Sequence, residues 1–294
     1  MIKSMTSNLP PAVNGLGSVI PRYDLILCDL WGVMHNGVHA IPGSNEACSA
    51  ARAAGATVIM ISNAPRPGPV VAKQIEGYGV LRSSYDDVIA SGDVTRDELI
   101  SRPGAKVFHL GPQRDLPNYQ GLNLSLVDFE HADLIVCTGP FNDENDKPED
   151  YRDLLMRAKE RELTLICANP DIVVERGNRL VWCAGAVAAI YDEIGGETIY
   201  AGKPHPQIYR MALTRAQQLR GKPVDTKRVL AVGDGLRTDI RGGAGQGFDT
   251  LFIARGIHAA DFTREDGGHD SEQLLKAFKE VDATPTAIMR EFVW

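Results

Sequence analysis

Short aliphatic and β-branched runs recur along this chain, each giving way to a stretch with helical spacing, and that alternation constrains the fold most. DLILC (24–28), ATVIMI (56–61), DVIA (87–90), AKVFHL (105–110), ADLIVC (132–137), LTLIC (163–167), RVLAV (228–232) and DTLFI (249–253) have the length and residue types of buried strands. SNEACSAARAAG (44–55), PEDYRDLLMRAKERE (148–162) and PQIYRMALTRAQQLRG (206–221) read as helices, the first with Ser44 as N-cap and Gly55 as stop. Parallel strands need crossover connections, which helices supply. The pattern therefore predicts an α/β chain of βαβ units around a mainly parallel sheet.

Composition bounds the function. The 294 residues leave room for a core and a second module, and 44% hydrophobic against 23% charged residues is an ordinary globular balance. A net charge of −7 argues against a nucleic-acid-binding surface, which needs concentrated Lys and Arg. It leaves room for a small anionic substrate held by local positive charge. No apolar run approaches the roughly 18 residues of a membrane span, and VWCAGAVAAIY (181–191) reads as a buried helix start. Residues 1–19 have no continuous apolar stretch of secretory type and read as a loose lead-in. The 5 cysteines (Cys28, Cys48, Cys137, Cys167 and Cys183) include no C-x-x-C pair and fall mostly in strand-like runs. They read as buried, reduced thiols of a cytoplasmic protein, ahead of a disulfide framework or zinc site.

Ligands of an open parallel sheet bind outside the carboxyl ends of its strands, so the residues just after each apolar run carry the information. Asp29 follows the first run, SNAPRP the second, and GDGLRTD follows 228–232; GKPHP comes just beyond a short TIYA. Taken singly, each has a plainer reading: an Asp at a strand end is a turn-former, GDGLRTD is a turn capped by Thr238, SNAPRP is loop, and Lys203 is a surface lysine. Taken together they describe phosphoryl transfer. Asp29 is a candidate nucleophile forming an aspartyl-phosphate. Asp234 and Asp239 suit a hard cation such as Mg2+. Ser62, Asn63 and the amides after Asp29, Gly32 among them, are candidate donors to phosphate oxygens, and Lys203 supplies positive charge.

CDLWGVMHNG, ISNAP, AGKPHPQIYRMAL and VGDGLRTDIRGG resemble the four motifs of the haloacid-dehalogenase (HAD) superfamily, and more narrowly its NagD-like phosphatases, subclass IIA. CANPD (167–171) with CAGAV (183–187) resembles the cap signature of that branch. The resemblance implies a Rossmann-like parallel-sheet core over 20–103 and 197–294, with an inserted α/β cap domain of C2 type over 104–196. It implies Asp29 as nucleophile and metal ligand, Asp234 and Asp239 as metal-site acids, and the Trp31 backbone carbonyl as a further ligand to Mg2+. Ser62 matches the phosphate-binding hydroxyl, with Asn63 beside it, and Lys203 the lysine that steadies nucleophile and phosphate. A small phosphorylated metabolite as substrate and a homodimer through the cap are further implications.

Trp31 departs from the family pattern, which usually has there a second aspartate that protonates the departing oxygen and later activates water. An indole has only an N–H donor and is no acid or base near neutral pH. A substitute such as His35, His205 or a cap residue, a leaving group that needs no proton, different transfer chemistry, or a non-catalytic binder all remain open at this point. Asn169, Asp171, Trp31 and His35 are candidates for substrate selection, an Asx turn being the plainer reading of the first two. RGGAGQG (241–247) reads as the close of a helix begun near Thr238, FNDENDKPED (141–150) as a solvated loop, and Arg66 as a loop charge.

Overall fold

The computed structural model describes residues 9–176, 179–255 and 270–294, the side chains of Glu175 and Arg176 excepted. In chain order the elements begin with β1 (Leu25–Cys28), α1 (Ser44–Ala53), β2 (Thr57–Ser62), α2 (Gly68–Gly77), β3 (Asp87–Ala90) and α3 (Ser91–Ile100). Then come β4 (Ala105–Leu110), β5 (Leu124–Leu126), β6 (Leu134–Cys137), α4 (Arg152–Glu160), β7 (Thr164–Cys167), β8 (Val173–Arg176) and β9 (Arg179–Trp182). The remainder is α5 (Ala184–Glu193), β10 (Glu197–Tyr200), α6 (Pro206–Arg220), β11 (Val229–Gly233), α7 (Arg241–Gly245), β12 (Asp249–Ile253), α8 (Ser271–Glu280) and β13 (Ala287–Met289). The chain divides into two compact units, one of Met1–Met60, Val80–Asp86 and Ala216–Trp294, the other of Ile61–Gly79 and Asp87–Arg215.

In the first unit the strands lie in the order β13-β12-β11-β1-β2, every neighbouring pair parallel. β1 is flanked on both sides, and its four residues are fully buried, which is why it reads as an unbroken apolar run. The register pairs Cys28 with Val232, and the Asp29 N–H donates to the Val232 carbonyl at 2.8 Å. The carboxyl ends of β1 and β11 are thereby aligned. α7 packs closely on this sheet: a Cβ at Gly243 would stand 2.8 Å from both Ala231 Cβ and Thr250 Cγ2. Gly242, Gly243 and Gly245 of RGGAGQG thus lie in α7, and Gly247, at φ 75°, follows it before β12, the helix close read from the sequence.

The lead-in is not loose where it is described. Val13 N–H donates to the Ile288 carbonyl at 2.8 Å, Ile288 N–H to the Pro11 carbonyl at 3.0 Å, and Leu16 N–H to the Val293 carbonyl at 2.9 Å. Leu16 is fully buried. Prolines and glycines gave this segment a loop-like composition, yet its apolar residues dock it along the C-terminal strand. Residues 1–8 lie outside the described set.

The second unit holds a five-stranded parallel sheet of order β10-β7-β6-β4-β5, running from Ala105 to Tyr200, and an antiparallel ribbon of β8 with β9. Leu155 and Ala158 of α4, with Ala184, Val187, Ala188 and Tyr191 of α5, pack on its strands. Val181 and Trp182, expected to begin a helix, belong to β9. At α1 the N-cap is Gly43, at φ 85°, and Ser44 is already helical, its hydroxyl donating to the Ile41 carbonyl at 2.7 Å. All five cysteines are free and buried. No helix among the described residues is long and apolar enough to cross a membrane.

The docking of the lead-in is testable. Leu16→Ala should lower unfolding free energy by about 2–5 kcal/mol, the usual range for a buried leucine, in urea titrations followed by far-UV circular dichroism. A loss below about 0.5 kcal/mol, typical of surface positions, would mean the segment is not docked.

Candidate active site

Three carboxylates meet where β1 and β11 end. Asp29, Asp234 and Asp239 each present an oxygen within 4.8 Å of the others, and they are 8%, 4% and 3% exposed. Asp29 follows β1 and Asp234 follows β11, so the parallel register brings together acids far apart in sequence. A π-helical turn, Leu236–Ile240, brings Asp239 back, and its Oδ2 accepts the Gly235 N–H at 3.1 Å. Gly32, at φ 78°, lies against the Asp234 carboxylate: a Cβ there would stand 2.0 Å from Oδ2. Like charges this close in a poorly solvated place repel strongly, and a hard divalent cation offsets that repulsion with ligands it prefers. The donor set fits such an ion.

The chain then folds into a tight flap. Gly32 N–H donates to the His35 carbonyl at 2.9 Å. That spends the amide expected on a phosphate oxygen, so Gly32 is a packing residue of the flap and of Asp234. The half-buried Trp31 meets the His35 ring edge-on, with centroids 5.2 Å apart at 74°. Its outer edge lies where Gly37, at φ 83°, has no side chain; a Cβ there would be 2.5 Å from Trp31 Cη2.

His35 is buried, and its Nδ1 accepts the Gly37 N–H at 3.0 Å. An accepting Nδ1 carries no proton, so the neutral ring has its hydrogen on Nε2. Burial lowers its pKa to about 4. His35 is therefore neutral near pH 7 and holds the flap, which argues against the acid–base and substrate-selecting roles considered from sequence. His205 stacks on Tyr200, centroids 4.9 Å apart.

In the second unit, Ser62 ends β2, and its Oγ accepts the Ala64 N–H at 3.2 Å. Asn63, expected on the phosphate, is engaged elsewhere. Its Oδ1 accepts the Lys203 N–H at 2.8 Å, while its Nδ2 donates to the Lys203 carbonyl at 3.1 Å and to Asp171 Oδ1 at 2.9 Å. Both amide hydrogens are used, so a phosphate-donor role does not fit. Lys203 is 2% exposed. Asn169 Oδ1 accepts the Asp171 N–H at 3.0 Å, the Asx turn that sequence offered as the plainer reading. Asp171 is thus an anchor for Asn63, which weakens its case as a substrate-selecting residue.

Sequence reading missed Ser91, the fully buried first residue of α3, whose Oγ lies 3.4 Å from Asn63 Oδ1. Its only signal was its place directly after DVIA. Arg66, taken as a loop charge, faces the buried Asp115 with Nε 3.5 Å from Oδ1; burial raises the Asp115 pKa, and Arg66 opposes that shift.

Residues 26–125 match the model of the haloacid dehalogenase-like hydrolases, and residues 200–281 match a second, HAD-hydrolase-like model. A crystal structure of a haloacid dehalogenase-like hydrolase from Brucella suis 1330 is 45% identical, with a TM-score of 0.85, over 96% of this chain and 100% of that one. The chain belongs to the haloacid dehalogenase-like hydrolases. Among curated relatives of this family, ribonucleotide monophosphatase NagD of Escherichia coli (strain K12) is 28% identical across 80% of this chain and 89% of its own. Acid sugar phosphatase of Staphylococcus aureus (strain USA300) is 26% identical across 89% and 96%.

The Gly32 contact gives a direct test of the acid cluster. Gly32→Ala should displace the Asp234 carboxylate and weaken Mn2+ binding about 10- to 100-fold, the scale on which supporting contacts of metal ligands act. Electron paramagnetic resonance titration reads free Mn2+. Affinity equal to wild type would show that the carboxylate needs no such clearance.

Proposed function

We propose that this hydrolase is a Mg2+-dependent phosphatase of a small phosphorylated metabolite, a sugar phosphate or a nucleotide, working through an aspartyl-phosphate at Asp29. The observation that carries this reading is the buried carboxylate cluster at the ends of two neighbouring parallel strands. The names of the curated relatives, a nucleotide phosphatase and a sugar phosphatase, support the substrate class.

In this reaction an Asp29 carboxylate oxygen attacks phosphorus in line, and the bond to the departing oxygen breaks with its electron pair. Water then attacks the phosphorus of the aspartyl-phosphate, releasing inorganic phosphate and returning the carboxylate. Asp29, Asp234, Asp239 and the Trp31 carbonyl would hold the ion, whose positive charge supports the developing negative charge of the phosphoryl group. We assign Ser62 Oγ and the Lys203 ammonium to phosphoryl oxygens. The lysine is buried, which strengthens its field at short range.

Trp31 shapes which substrates turn over. Its indole gives no proton to a departing alkoxide, and the neutral, flap-bound His35 does not replace it. Substrates whose leaving groups are acidic need no such proton. A second reading, a phosphometabolite-binding protein with little turnover, draws on the same residue. We further propose a core over 20–103 and 197–294 with a cap over 104–196, a cytoplasmic setting suited to five reduced thiols, and a homodimer.

Phosphate release measured across a panel of phosphomonoesters with Mg2+ should show activity that Asp29→Asn reduces to background. Activity persisting in the Asp29→Asn variant excludes the covalent route. Metal-dependent ligand binding without release favours the binder.

Turnover should rise steeply as the leaving group becomes more acidic, and Trp31→Asp should raise rates toward alkyl phosphates by up to about 10²-fold, the lower end of general acid–base effects. Equal rates for aryl and alkyl esters in the wild type, or no gain in a folded Trp31→Asp variant, would refute this account of the indole.

A further inference from the structure

The Asn63 side chain does something unusual for one amide: it bonds the N–H and the carbonyl of the same residue, Lys203, at 2.8 and 3.1 Å. Those two groups belong to the peptide units on either side of the Lys203 Cα. Fixing both fixes the direction of the Cα–Cβ bond, and so the axis from which the lysine side chain starts. The remaining amide hydrogen goes to Asp171 Oδ1 at 2.9 Å. Asn63 is 4% exposed.

The orientation of this amide is determined by its partners. Rotating it by 180° would aim Nδ2 at the Lys203 N–H and Oδ1 at both the Lys203 carbonyl and the Asp171 carboxylate, three like-against-like contacts. Gly202 leaves the room: a Cβ there would be 2.6 Å from Asn63 Oδ1 and 2.2 Å from Ser91 Oγ. Asp171 is held in turn by its own N–H to Asn169 Oδ1 at 3.0 Å.

We infer that Asn63 is a positioning residue, seating Lys203 for its work on the phosphoryl group and tying that seat to the loop after β7 through Asp171. The inference rests on the phosphatase reading for its kinetic consequence, while the seating itself is independent of it. Its chemistry predicts a specific reciprocity. Asn63→Asp keeps the shape but sets two carboxylates against each other and removes the donor to the Lys203 carbonyl. Adding Asp171→Asn restores one N–H···O contact with the roles exchanged.

The test uses the full chain, with p-nitrophenyl phosphate and Mg2+ for kinetics. Acetic anhydride labelling of Lys203, read by peptide mass spectrometry on natively folded protein, reports its seating. Asn63→Ala and Asn63→Asp should each lower kcat/KM about 10²-fold, the scale of a misplaced group, and speed Lys203 labelling about tenfold as its seat opens. Asn63→Asp with Asp171→Asn should recover at least about tenfold of the lost kcat/KM and slow the labelling again. Unchanged labelling in both single variants overturns the inference, as does a double variant no better than Asn63→Asp. A wild type that releases no phosphate defeats the phosphatase reading alone, because labelling and its reversal still decide whether Asn63 seats the lysine.

Discussion

Repulsion among Asp29, Asp234 and Asp239 is the constraint around which the first unit is organised. Three carboxylates sharing a few ångströms of poorly solvated space would separate if the backbone allowed it. The parallel register of β1 and β11, sealed by the Asp29 N–H to the Val232 carbonyl, sets Asp29 beside Asp234 all the same, and the turn of Leu236–Ile240 returns Asp239 to them. Gly32 and Gly233 remove the side chains that would otherwise occupy the space of those carboxylates: a Cβ at Gly233 would lie 2.1 Å from Asp239 Cγ. The result is a cluster of carboxylates whose spacing suits a hard cation, and backbone geometry sets that spacing.

The same economy marks the flap after Asp29. Its bonds close on themselves, Gly32 to the His35 carbonyl and Gly37 to His35 Nδ1, with the indole of Trp31 laid over Gly37. A ring placed this way is a rigid apolar wall. In the second unit, rigidity has a polar origin instead: one carboxamide, with every hydrogen committed, organises Lys203 and Asp171.

Much of this was legible in the sequence, for identifiable reasons. β3, β4 and β12 match their strand-like runs residue for residue; β3 and β12 are buried along nearly all their length, and strands buried on both faces have little choice of composition. Asp29 stood out because it directly follows such a run, and Asp234 because only Gly233 separates it from one. β5 and β13 are too short to register, and in the ribbon of β8 and β9 both strands carry charge and β9 is largely exposed. The work of Asn63 was hidden for another reason. Its partners lie 108 and 140 positions away, and local pattern holds no information about which distant backbone an amide will meet. Gly32 misled because a glycine beside a nucleophile suggests an open amide, whereas its N–H closes the flap.

The segment around Ala12 has a role beyond adding contacts. β13 is the outermost strand of its sheet, and the bridge from Ala12 to Ile288, with the bonds from Val13 and to Pro11, occupies the outward-facing backbone groups there. Stripped of that cover, Ala287–Met289 would present an unpaired, apolar margin of the kind onto which foreign strands add. Shortening the protein at its beginning would thus create a self-association hazard at its end.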